Sequence, residues 1–227
     1  MEGAWCVDDS GEQVRRFQDQ GFLHLGRMSS DLELAWLRTV YDEIVKKKTG
    51  YTPQELGWMS MRHKRGSLLT IPSPEQIAPE LQNTSFYRNA RQVFACFLGV
   101  EDTRLLSGWR IFCKPAHSGA TPWHQDAAYR PPPHRSVSIW LSLDPATLES
   151  SCLSYIARSH RVGVIPHHFH QDHLVVDTVD PSQGIACPVL AGEALLHHCC
   201  TLHYAGSNTT SRSRRALAIV CRVTDAH

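Results

Sequence analysis

The spacing of apolar residues changes character once along this chain. Val14 and Phe17 lie three apart, predicting a short helix over 11–19 that Gly21 ends. Phe22-Leu23-His24-Leu25 reads as a strand. Ser29-Ser30-Asp31 can cap a longer helix, whose Leu34, Leu37, Tyr41, Ile44 and Val45 fall on one face. Lys46-Lys47-Lys48 suit the negative end of its dipole, and Gly50 closes it. A further amphipathic helix starts at Asn83, turns Phe86, Ala90, Val93, Phe94 and Phe97 inward, and ends at Gly99.

From about residue 103 the pattern shortens to strands separated by Pro, Gly, Ser and Asp. Strands are predicted near 104–113, 136–144, 152–157, 174–178, 194–199 and 215–224. Between the helices, Pro53, Pro72, Pro74 and Pro79 break any long element over 51–82. The basic run Met61-Arg62-His63-Lys64-Arg65-Gly66 reads as a surface loop. The expectation is one domain over 1–227, with 1–102 a mainly helical buttress and 103–227 an all-β core.

Composition adds exclusions. The chain has 227 residues and a formal net charge of +1, with no basic stripe to attract nucleic acid. Its apolar runs are far shorter than a membrane span. Met-Glu-Gly-Ala-Trp-Cys lacks the basic and apolar regions of a signal peptide. A cytoplasmic protein with a small-molecule substrate, without nucleic-acid or membrane partners, is expected. The eight cysteines are scattered and read as reduced thiols. The 14 histidines cluster mainly between 160 and 203, so a metal is worth testing.

Thr121-Pro122-Trp123-His124-Gln125-Asp126 carries a His-x-Asp pair. On a strand, side chains alternate with period two, so His124 and Asp126 would share a face. Two imidazoles and one carboxylate on one face are what a non-haem Fe(II) centre needs, and His203 is the candidate third ligand. The pair alone is weak, because His-Gln-Asp recurs at 170–172. That copy reads as part of a solvated His-rich loop or substrate lid over 167–173. A zinc site from His197, His198, Cys199, Cys200 and His203 is the other candidate. It ranks low, because adjacent strand residues point to opposite faces.

The surroundings of the first copy are distinctive. They run Trp109-Arg110-Ile111-Phe112-Cys113-Lys114-Pro115, Pro122-Trp123-His124-Gln125-Asp126, Val137 to Glu149, Cys152-Leu153, Ser159-His160-Arg161, His203-Tyr204-Ala205-Gly206 and Arg214-Arg215-Ala216-Leu217. In order and spacing this resembles the phytanoyl-CoA dioxygenase (PhyH) family of Fe(II)/2-oxoglutarate oxygenases. Val14 to Phe22 resembles that family's opening helix.

The resemblance implies a double-stranded β-helix (a jelly-roll or cupin-like core) buttressed by α-helices. It implies iron ligands at His124, Asp126 and His203. Arg214, eleven residues after His203, would pair with the far carboxylate of 2-oxoglutarate, since a guanidinium clamps a carboxylate in bidentate fashion. Trp140 and Arg110 would line the cosubstrate site, and Lys114 reads as structural or at the pocket rim. Arg215 would face away as a surface charge. The implied reaction uses O2, with ascorbate stimulatory, and hydroxylates or otherwise oxidises a C–H bond of a small organic or natural-product-like molecule, releasing succinate and CO2. The carboxylate at Asp126 favours hydroxylation over halogenation.

Trp123, Tyr129, Arg62, Arg158 and the 167–173 loop are candidate substrate contacts. One departure from the family stands out. Ala205 occupies a position where relatives carry a serine able to bond 2-oxoglutarate, and Ser207 is the nearby alternative. Two rival readings remain at this point: a cupin-type metal enzyme that does not use 2-oxoglutarate, and an inactive binding protein with the same fold. The substrate and the oligomeric state are not legible.

Overall fold

The structure, a computed structural model, describes residues 11–56, 68–102, 105–129, 135–170 and 173–223. Arg62 and its basic run, and Gln171-Asp172 of the second His-Gln-Asp copy, lie outside the described residues.

Two of the helices form where their caps predict, whereas the third begins at Ser85 and not at the expected Asn83. Helix α1 (Glu12–Gln20) ends at Gly21, whose φ of 84° is left-handed. Helix α2 (Asp31–Thr49) is capped by the Ser30 hydroxyl, which accepts from the Glu33 amide. Helix α3 (Ser85–Leu98) is capped in the same way by Thr84. Its exposed amides receive a second acceptor from α2, because the Glu33 carboxylate takes hydrogen bonds from Ser85 N and Phe86 N. No described helix is long and apolar enough to cross a membrane.

Strands β1 (Phe22–Arg27), β2 (Leu69–Pro72), β3 (Leu105–Lys114), β5 (Ser136–Ser142), β10 (Glu193–His198) and β12 (Arg214–Val223) build a six-stranded sheet in the order β1-β10-β5-β12-β3-β2. A second sheet has the order β4-β11-β6-β9, from β4 (Thr121–His124), β11 (His203–Ala205), β6 (Leu153–Tyr155) and β9 (Ile185–Cys187). A hairpin of β7 (His168–His170) and β8 (His173–Val175) stands apart. All the pairings are antiparallel, and the two sheets form the double-stranded β-helix that the sequence leads one to expect.

Alternation along the central strands shows what each face does. Ile139, Leu141, Leu217, Ile219, Ile111 and Cys113 join Leu37, Tyr41, Phe86 and Phe94 in one core beneath the helices. Their neighbours Trp140, Ala216, Ala218 and Leu195 turn the other way, into a smaller core with Leu153, Tyr155 and Ala205 of the second sheet. Both faces of β5 are therefore covered, which explains its nearly continuous apolar run.

The expected split between a helical first half and a β second half is only partly realised. Strand β1 pairs with β10, and β2 pairs with β3, so the first half supplies both edges of the large sheet. Strands β2, β4, β7, β9 and β11 are three or four residues long and had no periodic signal.

Candidate metal centre

Strand β11 lies between β4 and β6, and His203 is the register partner of both His124 and Tyr155. That pairing brings the distal histidine back to the His-x-Asp pair. The His124 and His203 rings lie 4.1 Å apart between centroids. With Asp126 they offer two imidazole nitrogens and a carboxylate oxygen all within 4.8 Å of one another.

Asp126 arrives there by a different route from the one expected. Strand β4 ends at His124, and Asp126 opens a 3-10 turn (Asp126–Tyr129). The two side chains converge because the chain bends at Gln125, not because of strand alternation. Gln125 is fully buried and holds the bend. Its amide group donates to Cys200 O at 2.6 Å and Gly163 O at 2.8 Å, and accepts from Ile165 N at 3.0 Å. The Ala127 amide donates to Cys199 O at 2.9 Å.

Each histidine is oriented by a backbone carbonyl two residues before it. His124 Nδ1 donates to Pro122 O at 2.8 Å, and His203 Nδ1 donates to Thr201 O at 3.0 Å. A proton on Nδ1 leaves the Nε2 lone pair of both rings for a metal. Burial, with His124 adding repulsion, lowers the His203 pKa to about 3. Burial also lowers that of His124. Both rings are therefore neutral near pH 7, the ligating form.

Burial alone would raise the Asp126 carboxyl, but the His197 hydrogen bond and the surrounding imidazoles outweigh it and hold the group well below the usual range. One oxygen, Oδ2, receives Ser138 Oγ at 3.2 Å and His197 Nε2 at 3.3 Å. The other, Oδ1, faces His203 Nε2 at 3.7 Å. His197 is itself met by the Tyr155 hydroxyl at 3.2 Å. Ser138 and His197 are register partners on β5 and β10, so the large sheet presents both to the same carboxylate. Sequence reasoning gave Ser138 and Tyr155 no role and placed His197 only in the alternative zinc set. The alternation Leu195, His197 on a buried strand was the available signal.

The other candidate residues fall on the same inner face. Arg214, at the start of β12, is buried, and its guanidinium carbon lies 4.8 Å from the Trp140 ring centroid. Among the described residues, its Nε and Nη1 have no hydrogen-bond partner. Burial lowers its pKa to about 10, so it stays charged. Arg110 is the β3 register partner of Ala218, which also pairs with Trp140, so it lies in the same row. Arg215 faces the helices, where it grips Asp144 with Nε at 2.9 Å and Nη2 at 2.7 Å and reaches Asp42 at 2.9 Å. A cavity of about 580 Å³ on that side touches Arg214 and Arg215 but none of the three converging ligands.

Three expectations need correction. Of the two readings of Lys114, structural or at the pocket rim, the rim is excluded, because the residue is completely buried. Arg158 does not face the centre, because it pairs with Asp19 of α1 at 3.0 Å. His198, Cys199 and Cys200 do converge, within 4.8 Å, because β10 ends at His198 and the chain turns. His197 and His203 are committed to the other centre, so the five-residue zinc set does not assemble.

The described parts of the His-rich stretch are tied to residues beside the centre. His167 Nε2 accepts from the Gln125 amide at 3.1 Å, the Leu174 amide donates to the Tyr129 hydroxyl at 3.0 Å, and the Val176 amide donates to Trp123 O at 3.0 Å. Tyr129 meets the His124 ring edge-on at 6.2 Å, and Trp123 stacks on Tyr204 at 5.2 Å.

The donor set fits Fe(II), and the orphaned face of Arg214 fits a carboxylate. The family model for phytanoyl-CoA dioxygenase matches residues 17–216. A Bos taurus phytanoyl-CoA dioxygenase domain-containing protein 1 is 27% identical over 260 residues, covering 93% of this chain and 88% of that protein. A probable alpha-ketoglutarate-dependent hypophosphite dioxygenase of Stutzerimonas stutzeri is 29% identical, over 95% of this chain and 79% of its own. The crystal structure of EvdO2 from Micromonospora carbonacea var. aurantiaca, complexed with 2-oxoglutarate, is similar with a TM-score of 0.85 at 32% identity, covering 100% of this chain and 95% of that one. With the match spanning nearly the whole length, the chain belongs to the phytanoyl-CoA dioxygenase family of Fe(II)- and 2-oxoglutarate-dependent oxygenases.

Proposed function

We propose that this chain is one dioxygenase domain that hydroxylates a C–H bond of a small organic, natural-product-like substrate. The observation that carries the reading is the convergence of His124, Asp126 and His203 within 4.8 Å. His124 and His203 would hold the iron through Nε2, and Asp126 through Oδ1. Arg214 would pair with the far carboxylate of 2-oxoglutarate, and Trp140 and Arg110 would wall the cosubstrate. When bound, iron and 2-oxoglutarate supply an oxidative decarboxylation that consumes O2 and yields succinate, CO2 and the alcohol. Ascorbate is the expected stimulant.

The protein's own contribution is orientation and exclusion. His197 and Ser138 immobilise Asp126, the two backbone carbonyls set the imidazoles, and the hairpin over Trp123 and Tyr129 limits water. The aromatic walls at Trp123, Tyr129 and Tyr204 support an organic substrate. The unpaired Arg214 favours 2-oxoglutarate use over a cupin-type reaction without it. The test is succinate release by purified protein supplied with Fe(II), ascorbate and 2-oxoglutarate, followed by a substrate screen. Protein that neither binds nor consumes 2-oxoglutarate would overturn the reading.

A further inference from the structure

The turn after β10 gathers metal-binding side chains outside the His124 centre. His198, Cys199 and Cys200 bring one nitrogen and two sulfurs within 4.8 Å of one another. Adjacent residues on a strand point to opposite faces, but β10 has ended at His198. The Thr201 amide donates to His198 O at 2.8 Å and closes a turn around the two cysteines. That turn sets the Cys199 and Cys200 Sγ atoms 3.9 Å apart. Two thiolates held at about 2.3 Å by one tetrahedral ion stand about 3.8 Å apart, so the sulfurs already have the spacing of a shared ion.

The chemistry of the cluster agrees with its spacing. Both cysteines are free thiols, and both are buried. His198 is only half-buried, which leaves an approach from solvent. Its Nδ1 accepts from the Cys200 amide at 3.1 Å, so the lone pair on that nitrogen faces the turn that carries the thiols. The contact with Cys200 lowers the pKa of the Cys199 thiol and favours the thiolate that a metal needs. Two thiolates and an imidazole are ligands for a soft or borderline ion, unlike the oxygen-bearing set at His124.

We propose that His198, Cys199 and Cys200 form a second metal site, separate from the His124 centre, that takes Zn2+ and leaves one position to water. The site shares no ligand with that centre, so it stands independently of the oxygenase reading. It is nevertheless joined to the centre through the backbone. Cys199 O accepts from the Ala127 amide at 2.9 Å, and Cys200 O accepts from the Gln125 side chain at 2.6 Å. An ion that pins this turn therefore also stiffens the bend that delivers Asp126.

The probe is Cd2+, a soft stand-in for Zn2+ whose thiolate complexes absorb in the ultraviolet by ligand-to-metal charge transfer. Imidazole and carboxylate ligands give no such band, so the His124 centre stays silent. Reduced, metal-free protein titrated with Cd2+ should develop the band, and added Zn2+ should bleach it by displacement. The Cys199→Ser/Cys200→Ser double variant should lose it. His198→Ala should keep the band but move its midpoint to at least about tenfold higher Cd2+, since a direct ligand matters no less than an outer-shell partner. Should the double variant fail to fold, either single replacement should still shrink the band. No band in the wild type would overturn the site. A band undiminished in the cysteine variants would also overturn it, by placing the ion on other thiols such as exposed Cys96.

Discussion

His197 Nε2 lies 3.3 Å from Asp126 Oδ2, on the side of the carboxylate turned away from His203. Asp126 therefore has one oxygen engaged by the sheet and the other facing His203. Such outer partners fix ligand orientation and typically matter 10–100-fold to metal affinity. His197→Ala should weaken Fe(II) binding by about that factor, and His197→Gln, which keeps a donor, by less. Competition with a calibrated chelator measures it. Identical affinities for wild type and His197→Ala would show that Ser138 and the turn suffice.

The two His-Gln-Asp copies should behave in opposite ways. His124 meets His203 in register and directs its Nε2 inward, whereas His170 is exposed on β7 of the hairpin. His124→Ala should abolish stoichiometric iron, and His170→Ala should leave iron content unchanged. Metal analysis of the two purified variants decides it, and iron retained by His124→Ala would dismiss the triad.

The contrast between those copies shows what the sequence could and could not carry. Helix ends were legible because Ser30, Gly21, Gly50 and Gly99 act locally, through a cap and positive φ, whereas the Thr84 cap was taken for a start at Asn83. The long strands were legible because Ile139, Leu141, Leu217 and Ile219 bury one whole face. Strands β4 and β11 carry the two histidines yet are three or four residues long, and exist only because neighbours pair with them. Asp126 was picked out by company and spacing, but the bend that delivers it depends on Gln125 bonds to Gly163, Ile165 and Cys200, all distant in sequence. Lys114 reads from the sequence as structural or at the rim, because nothing local reveals that Arg214 is its register partner.

Arg214 and Arg215 should separate cleanly by phenotype. Arg214 has two unpartnered nitrogens beside Trp140, while Arg215 is fully used by Asp144 and Asp42. Arg214→Met should weaken 2-oxoglutarate by at least about tenfold with little loss of stability, because it removes a buried charge that pairs with no carboxylate among the described residues. Arg215→Met should leave 2-oxoglutarate affinity nearly unchanged and cost about 1–3 kcal/mol, because Asp144 loses a bidentate partner. Titration and thermal melts of both variants test the pair. Reversed phenotypes would assign the carboxylate to the wrong arginine.

Lys114 also predicts a pH dependence of stability in the ligand-free protein. Its folded pKa lies near 7, against an ordinary value of 10.5, so between those values the unfolded chain holds a proton that the folded chain has released. Raising the pH removes that proton from the unfolded state's advantage, so this group makes the fold more stable as pH rises from about 7, by up to about 1.4 kcal/mol per unit. Buried Cys113 and Cys221 and half-buried Cys187 have thiols pushed up to about 11, 12 and 11, and they oppose the trend above their ordinary value of 9.0. The clean window is therefore from pH 7 to about pH 8.5, and the clean quantity is wild type minus Lys114→Met. Urea unfolding at both ends of that window should show wild type gaining on the variant. Parallel curves for the two proteins would mean that Lys114 keeps its proton without a ligand.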